Sequence, residues 1–240
     1  MGWHREPLIG FDLETTGTDP REARIVTGAV IEVREGEPAG RREWLADPGV
    51  EIPADAVAVH GISNERAAAE GGPADQVADA IADVLTGYWK AGVPVVAYNA
   101  AFDLTLLSAE LRRYGLPSLS ERLGGTEPGP VIDPYTIDRW ADRYRRGKRT
   151  LEAVCTEYGV VLDAAHDASA DALAAARLAC AIAVRHPKVA ALDPAELHRR
   201  QIEWYAAWAA DFQSFLRRKG DPAAVVDGTW PLREPAGETV

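Results

Sequence analysis

The sequence contains no run of about eighteen apolar residues able to span a bilayer, so no membrane partner is expected. No targeting segment is expected either. Met1 to Pro7 carries Trp3, His4, Arg5 and Glu6 where a basic start and an apolar core would be needed, and a cytoplasmic protein is the expectation. Cysteine is scarce: Cys155 and Cys180 are the only 2 in 240 residues, and both lie in helix-like stretches without metal-ligand spacing. A disulfide framework is excluded, leaving two small core hydrophobes. Positive charge is also short, with 26 basic against 37 acidic side chains and a net charge of -11. That sign does not suit a protein gripping a polyanion by bulk electrostatics, although bound divalent cations reverse the field locally. Basic residues crowd one segment, Arg139, Arg143, Arg145, Arg146, Lys148 and Arg149. The cluster reads equally as a solvated helix end and as a phosphate-contacting patch.

What is present is enough apolar content, 47%, for one well-buried domain with a helical appendage. We place the domain at residues 1–187, with a helix and irregular tail at 188–240. From Leu8 to Glu14 the pattern alternates, setting Ile9, Phe11 and Leu13 on one face and Gly10, Asp12 and Glu14 on the other. Strands at 25–33 and 41–46 follow, each closed by turn residues. Helical periodicity covers 55–59, 65–70 and 74–89, and a strand is expected over 93–98. Asn99 is positioned to cap a helix at 102–114 that Gly115 ends. A short apolar run at Val131 and Ile132 leads into Asp133-Pro134 and a helix to about Tyr144; helices at 150–158 and 169–184 come next. Asp193-Pro194 starts a last helix reaching Lys219, whose Trp204, Tyr205, Trp208, Phe212 and Phe215 form an apolar stripe. Residues 220–240 read as irregular. The element order, βββ then α then repeated βα, predicts an α/β fold.

Three stretches carry chemistry. Asp12 and Glu14 share a strand face, close enough to hold one cation or bracket two, and the wholly apolar opposite face marks the strand as central. Two carboxylates in a central sheet carry a severe desolvation cost unless a cation offsets it. Asn99-Ala100-Ala101-Phe102-Asp103 follows an apolar strand, setting Asp103 in a first helical turn, where the dipole alone would favour it. That junction is also where α/β sheets build sites. His166-Asp167-Ala168-Ser169-Ala170-Asp171 places a histidine before a helix and a carboxylate inside it, with Asp167 or Ser169 as the cap.

In order and placement these stretches resemble the three sequence blocks of the DEDD superfamily of 3′→5′ exonucleases. Asp12 to Gly17 is similar to the first block of the proofreading epsilon-subunit type of bacterial DNA polymerase III, Asn99 to Asp103 to the second, and His166 to Asp171 to the third. The histidine corresponds to the histidine branch. His60-Gly61-Ile62-Ser63 resembles a loop by the terminal nucleotide, and Thr150 to Cys155 the helix before the third block. The likeness covers about residues 7 to 185 and implies a ribonuclease-H-like fold, with a mixed five-stranded sheet flanked by helices and an extra C-terminal aromatic helix.

By that resemblance Asp12, Glu14, Asp103 and Asp171 hold two divalent cations, Mg²⁺ or Mn²⁺, and His166 is the general base. Leu13, Thr15, Thr16, His60, Asn99 and Phe102 contact the terminal nucleotide; Phe102 reads equally as plain core. Hard cations want such oxygen ligands, and two of them about 4 Å apart suit an in-line phosphodiester displacement. The implied partner is a nucleic-acid 3′ end, DNA rather than RNA, with single-stranded ends preferred. The helix over 194–219 is no part of the family pattern; its stripe covers the nuclease core, pairs two copies or meets a polymerase. Two rivals stand beside this reading: an exoribonuclease of the same superfamily, and a non-catalytic nucleic-acid-binding module.

Overall fold

The computed structural model describes residues 2–163 and 165–233. A single 3-10 turn at Trp3–Arg5 precedes strands β1 (Leu8–Thr15), β2 (Ile25–Arg34) and β3 (Glu37–Asp47). Helices α1 (Ala54–His60) and α2 (Asn64–Glu70), the two-residue strand β4 (Gly72–Pro73) and helix α3 (Ala74–Lys90) come next. Then follow β5 (Val95–Val96), α4 (Ala100–Arg113), α5 (Leu119–Arg122), β6 (Val131–Ile132) and α6 (Pro134–Ala141). The series closes with α7 (Leu151–Tyr158), α8 (Ala168–Arg185), α9 (Pro187–Ala190) and α10 (Pro194–Lys219).

The sheet is mixed and ordered β4-β3-β2-β1-β5-β6, six strands where the sequence suggested five. The additional one is β4, which aligns Gly72 and Pro73 with Ala46 and Asp47 and is too short to leave a periodic signal. Strand β5 is also shorter than its expected 93–98, although its flanks stay in the ladder through Ile9 N–H to Pro94 and Ala97 N–H to Ile132. Strand β1 is central, antiparallel to β2 and parallel to β5. Its Ile9, Phe11 and Leu13 face a core shared with α3 and α4, each at most 5% exposed.

The opposite face of β1 is covered by α8, and the sequence shows how so close an approach is reached. Helix α8 turns Ala172, Ala175, Ala176 and Ala179 into the interior, so little side chain separates its backbone from the sheet. At Gly10 a Cβ would lie 2.2 Å from the Ala172 carbonyl oxygen, which only glycine avoids. This contact brings the first turns of α8 beside Asp12 and Glu14.

Helix α10 closes the other edge. Strand β6 would present unpaired backbone groups, a liability in any sheet. Gln201, fully buried, substitutes for a further strand: its amide donates to the Val131 carbonyl (2.9 Å) and its oxygen accepts the Asp133 N–H (2.6 Å). His198 Nδ1 accepts the Val131 N–H at 3.0 Å. Residues 220–233 hold no helix or strand, yet Trp230 is buried in the main core and Arg233 N–H bonds the Thr105 hydroxyl at 2.9 Å. The expectation for the remainder of that tail, 234–240, lies outside the described residues. No described helix is long and apolar enough to cross a membrane.

Candidate active site

Three chain segments converge where β1 ends, β5 turns into α4, and α8 begins. Asp12 and Glu14 project from β1 toward α8, both half-buried. Asp103, 3% exposed in the first turn of α4, accepts the Leu13 N–H at 3.1 Å, which ties α4 to the middle of the first motif. Asp171, 9% exposed, accepts the His166 N–H at 3.2 Å through Oδ2. Its Oδ1 is buried with no hydrogen-bond partner. One ligand atom from each of Glu14, His166 and Asp171 falls within 4.8 Å of the others.

The electrostatics are those of crowded, desolvated carboxylates. Burial pushes Asp12 well above the usual carboxylate range, reinforced by the charges of Asp103, Asp171 and Glu14. Burial likewise raises Asp103, against the opposing N–H of Leu13. Glu14 is lifted to about 7 by burial and then by Asp171 and Asp167. Asp171 rises to about 6 through burial, opposed by hydrogen bonding and charge from His166. An orphaned buried oxygen amid four hard oxygen donors fits a divalent cation; a cluster of this kind carries a large desolvation cost without one.

The flanking candidates divide. Leu13 supplies its backbone to Asp103 and its side chain to the core. Thr15 and Thr16 spend their hydroxyls on their own turn, Thr15 donating to the Gly17 carbonyl (2.8 Å) and Thr16 accepting the Arg24 N–H (2.9 Å). His60, the last residue of α1, accepts the Ile62 N–H on Nδ1 at 3.1 Å and has a buried Nε2 without a partner. It shares a cavity of about 460 Å³ with Glu14 and His166. Phe102 is half-buried against the core.

Asn99 sits at the N-cap position of a helix that begins at Ala100 instead of 102, and it does not cap with its side chain. Its φ of 63° is left-handed, and its backbone N–H goes to Asp133 Oδ1 at 2.9 Å. Asp133, fully buried, also accepts from Tyr135 N–H, the Thr136 hydroxyl and Trp230 Nε1. It therefore both caps α6 and fixes the turn that delivers Asp103. Ahead of α8 the cap is Asp167, accepting from Ser169 and Ala170. His166 stands exposed just before it, with a left-handed φ of 66°.

Sequence reading missed Gln201 and Trp230, which support Asp133 across 68 and 97 positions, with no local signal to reveal them. It also missed Ser169 as a cavity residue; its buried Oγ has no partner and borders the space beside His166. The basic cluster divides: Arg143, Arg146 and Lys148 are exposed, as a solvated helix end and loop would have them, while two of its arginines turn inward. Arg145 and Arg149 both pair with the fully buried Asp138, where α6 stops at Ala141 instead of Tyr144, and Arg143 pairs with Asp211. Both cysteines pack in the α8 core, as small hydrophobes would.

An exonuclease family model, RNase_T, matches residues 9–179, a span that contains every residue of the site. The DNA polymerase III PolC-type protein of Streptococcus thermophilus is 29% identical over 173 residues, covering 71% of this chain and 11% of that protein. The PolC-type protein of Staphylococcus aureus is 25% identical over 196 residues, 80% of this chain and 12% of its own length. The chain thus spans only about a tenth of the curated relatives it matches. Among solved structures, E. coli exonuclease I in complex with a dT13 oligonucleotide aligns with a TM-score of 0.62 at 21% identity, over 76% of this chain and 42% of that one. Exonuclease I from Methylocaldum szegediense aligns with a TM-score of 0.60 at 25% identity, over 76% and 41%. The fold is shared.

Proposed function

The chain belongs to the exonuclease family of the DEDD superfamily, and on that premise we propose that it hydrolyses DNA from the 3′ end, releasing nucleoside 5′-monophosphates with the aid of two divalent cations, Mg²⁺ or Mn²⁺. What supports this reading is the approach of Glu14, His166 and Asp171 to within 4.8 Å, with Asp12 and Asp103 near enough for their charges to act on one another and one buried Asp171 oxygen left without a partner. DNA is favoured because relatives on both sides, PolC-type polymerases and an exonuclease crystallised with dT13, are named for it.

Each residue has a separate task. Asp12, Glu14, Asp103 and Asp171 would hold the cations, which when bound activate water and stabilise the departing 3′ oxygen. His166, within 4.8 Å of Glu14 and Asp171 yet exposed, takes the proton of the attacking water on its imidazole nitrogen. The Leu13 N–H locks Asp103 in place, and Asp133 locks Asn99, so neither carboxylate segment must reorganise as the substrate binds. His60, which lines the same cavity as Glu14 and His166, would meet the terminal nucleotide from the far wall.

The test uses 5′-labelled DNA and RNA oligonucleotides of matched sequence with free or blocked 3′ ends. The expected result is a ladder shortening from the free DNA 3′ end in Mg²⁺ or Mn²⁺ and none in EDTA. Faster cleavage of the RNA strand would transfer the activity to RNA, and cleavage that persists in EDTA would refute the metal-dependent reaction.

A further inference from the structure

Helix α10 lies outside the matched segment, and its outward face carries more than is needed to cover β6. A series of rings begins at the site and runs along it. Tyr98, the residue before Asn99, meets Tyr135 edge-on at 5.5 Å, and Tyr135 meets Trp208 at 6.4 Å. Trp208 then stacks on Phe212 at 5.6 Å and Phe212 on Phe215 at 6.3 Å, with planes only 12° and 14° apart. The outer rings are open to solvent, Phe212 39% and Phe215 45% exposed.

Cations are interleaved with the rings. The Arg139 guanidinium lies 4.4 Å from the Tyr135 ring centre and 4.3 Å from that of Trp208. Its Nε is buried without a partner, and among the described residues it forms no ion pair, whereas Arg143, Arg145 and Arg149 are each held by an aspartate. Lys219 stands 5.8 Å from the Phe215 ring centre. A hollow of about 250 Å³ opens here, bordered by Arg139, Arg143, Arg149, Trp208, Asp211 and Phe212. Two links tie its border to the catalytic edge. Lys148, next to Arg149, borders the cleft of about 500 Å³ that contains His166 and Asp171, and the Tyr98 hydroxyl donates to the Arg149 carbonyl at 2.7 Å.

The geometry points to this face of α10 as a track for single-stranded nucleic acid upstream of the scissile end. Near-parallel exposed rings offer faces on which any base stacks, and an uncompensated arginine between them offers a phosphate contact. On a chain of net charge -11 such a cation is a local exception, and it lies beside the site that needs a polyanion guided to it. The direction assigned to the strand rests on the exonuclease reading; the track itself does not.

The test compares the full chain with Phe212→Ser/Phe215→Ser and with Arg139→Gln, using fluorescein-labelled dT12 and dT3. Anisotropy in EDTA gives Kd without turnover, and hydrolysis in Mn²⁺ gives KM and kcat. Loss of base stacking in the serine pair, and of the phosphate contact in Arg139→Gln, each predict a Kd for dT12 raised about tenfold, with dT3 binding moved far less. The serine pair replaces exposed rings, so the fold is retained even if Arg139→Gln disturbs packing. Equal dT12 affinity in wild type and both variants would overturn the track. A wild-type dimer dispersed by the serine pair, with dT12 affinity unchanged, would give the face to a second copy and overturn it as well. Wild-type chain that binds dT12 through these residues but cleaves nothing would sink the exonuclease reading and leave the track standing.

Discussion

Replacing Asp171 with asparagine should make the metal-free protein more stable at alkaline pH. Asp171 is 9% exposed, and its pKa stands at about 6 against an ordinary 3.8. A carboxyl raised in the folded state stabilises fully below 3.8 and loses that contribution as pH rises through about 6. At pH 8 the ionised group therefore costs roughly 3 kcal/mol, from about two pKa units at ~1.4 kcal/mol each. Asparagine keeps an acceptor for the His166 N–H and removes the charge. For a chain of this size roughly 2–4 °C accompanies each kcal/mol, so Tm in EDTA at pH 8 should rise by about 6 °C or more, and by almost nothing at pH 3.5. Wild type should instead gain its stability from Mn²⁺, about 2.7 kcal/mol at a hundredfold excess over Kd, and Asp171→Asn should lose most of that gain. Differential scanning calorimetry across pH, with and without Mn²⁺, measures both. A variant less stable than wild type in EDTA at pH 8, or one keeping the full Mn²⁺ shift, refutes the reasoning.

Three further outcomes follow from the same geometry. His166→Ala should lower kcat by about 10²–10⁴ while Mn²⁺ affinity, measured calorimetrically, changes much less; equal losses in both would make the histidine a ligand only. Gly10→Ala drives a Cβ to 2.2 Å from the Ala172 carbonyl, so α8 must shift, with roughly 1–3 kcal/mol lost in urea unfolding and activity falling with it. Gln201→Leu leaves the Val131 carbonyl and Asp133 N–H unpaired inside the fold, a loss of roughly 2–5 kcal/mol that hydrogen exchange should localise to β6 and the Asn99 turn.

The candidate site was legible in the sequence because its carboxylates are local signals on ordered elements. Alternation over Leu8–Glu14 marked both the buried face and the carboxylate face of β1, and the Asp193-Pro194 start of α10 was readable from two residues. What stayed hidden was non-local. Strand β4 exists only because Gly72 and Pro73 lie against β3, and Asn99 does not cap with its side chain because its backbone is left-handed where a capping residue is extended, in a turn that Asp133 holds by the backbone N–H. The arginines after α6 looked surface-bound, yet Arg145 and Arg149 turn back to neutralise Asp138, whose burial no local pattern signals. Residues 220–233 lack periodicity altogether and still insert Trp230 into the core.

The most direct measurement is the number of divalent cations this cluster binds, read by titrating metal-free protein with Mn²⁺ and following free ion by electron paramagnetic resonance. Two ions per wild-type chain, and loss of at least one in Asp12→Asn and in Asp103→Asn without unfolding, is the expected result. Stoichiometric binding that survives both substitutions, or no binding at millimolar Mn²⁺, would contradict a catalytic centre built on these carboxylates.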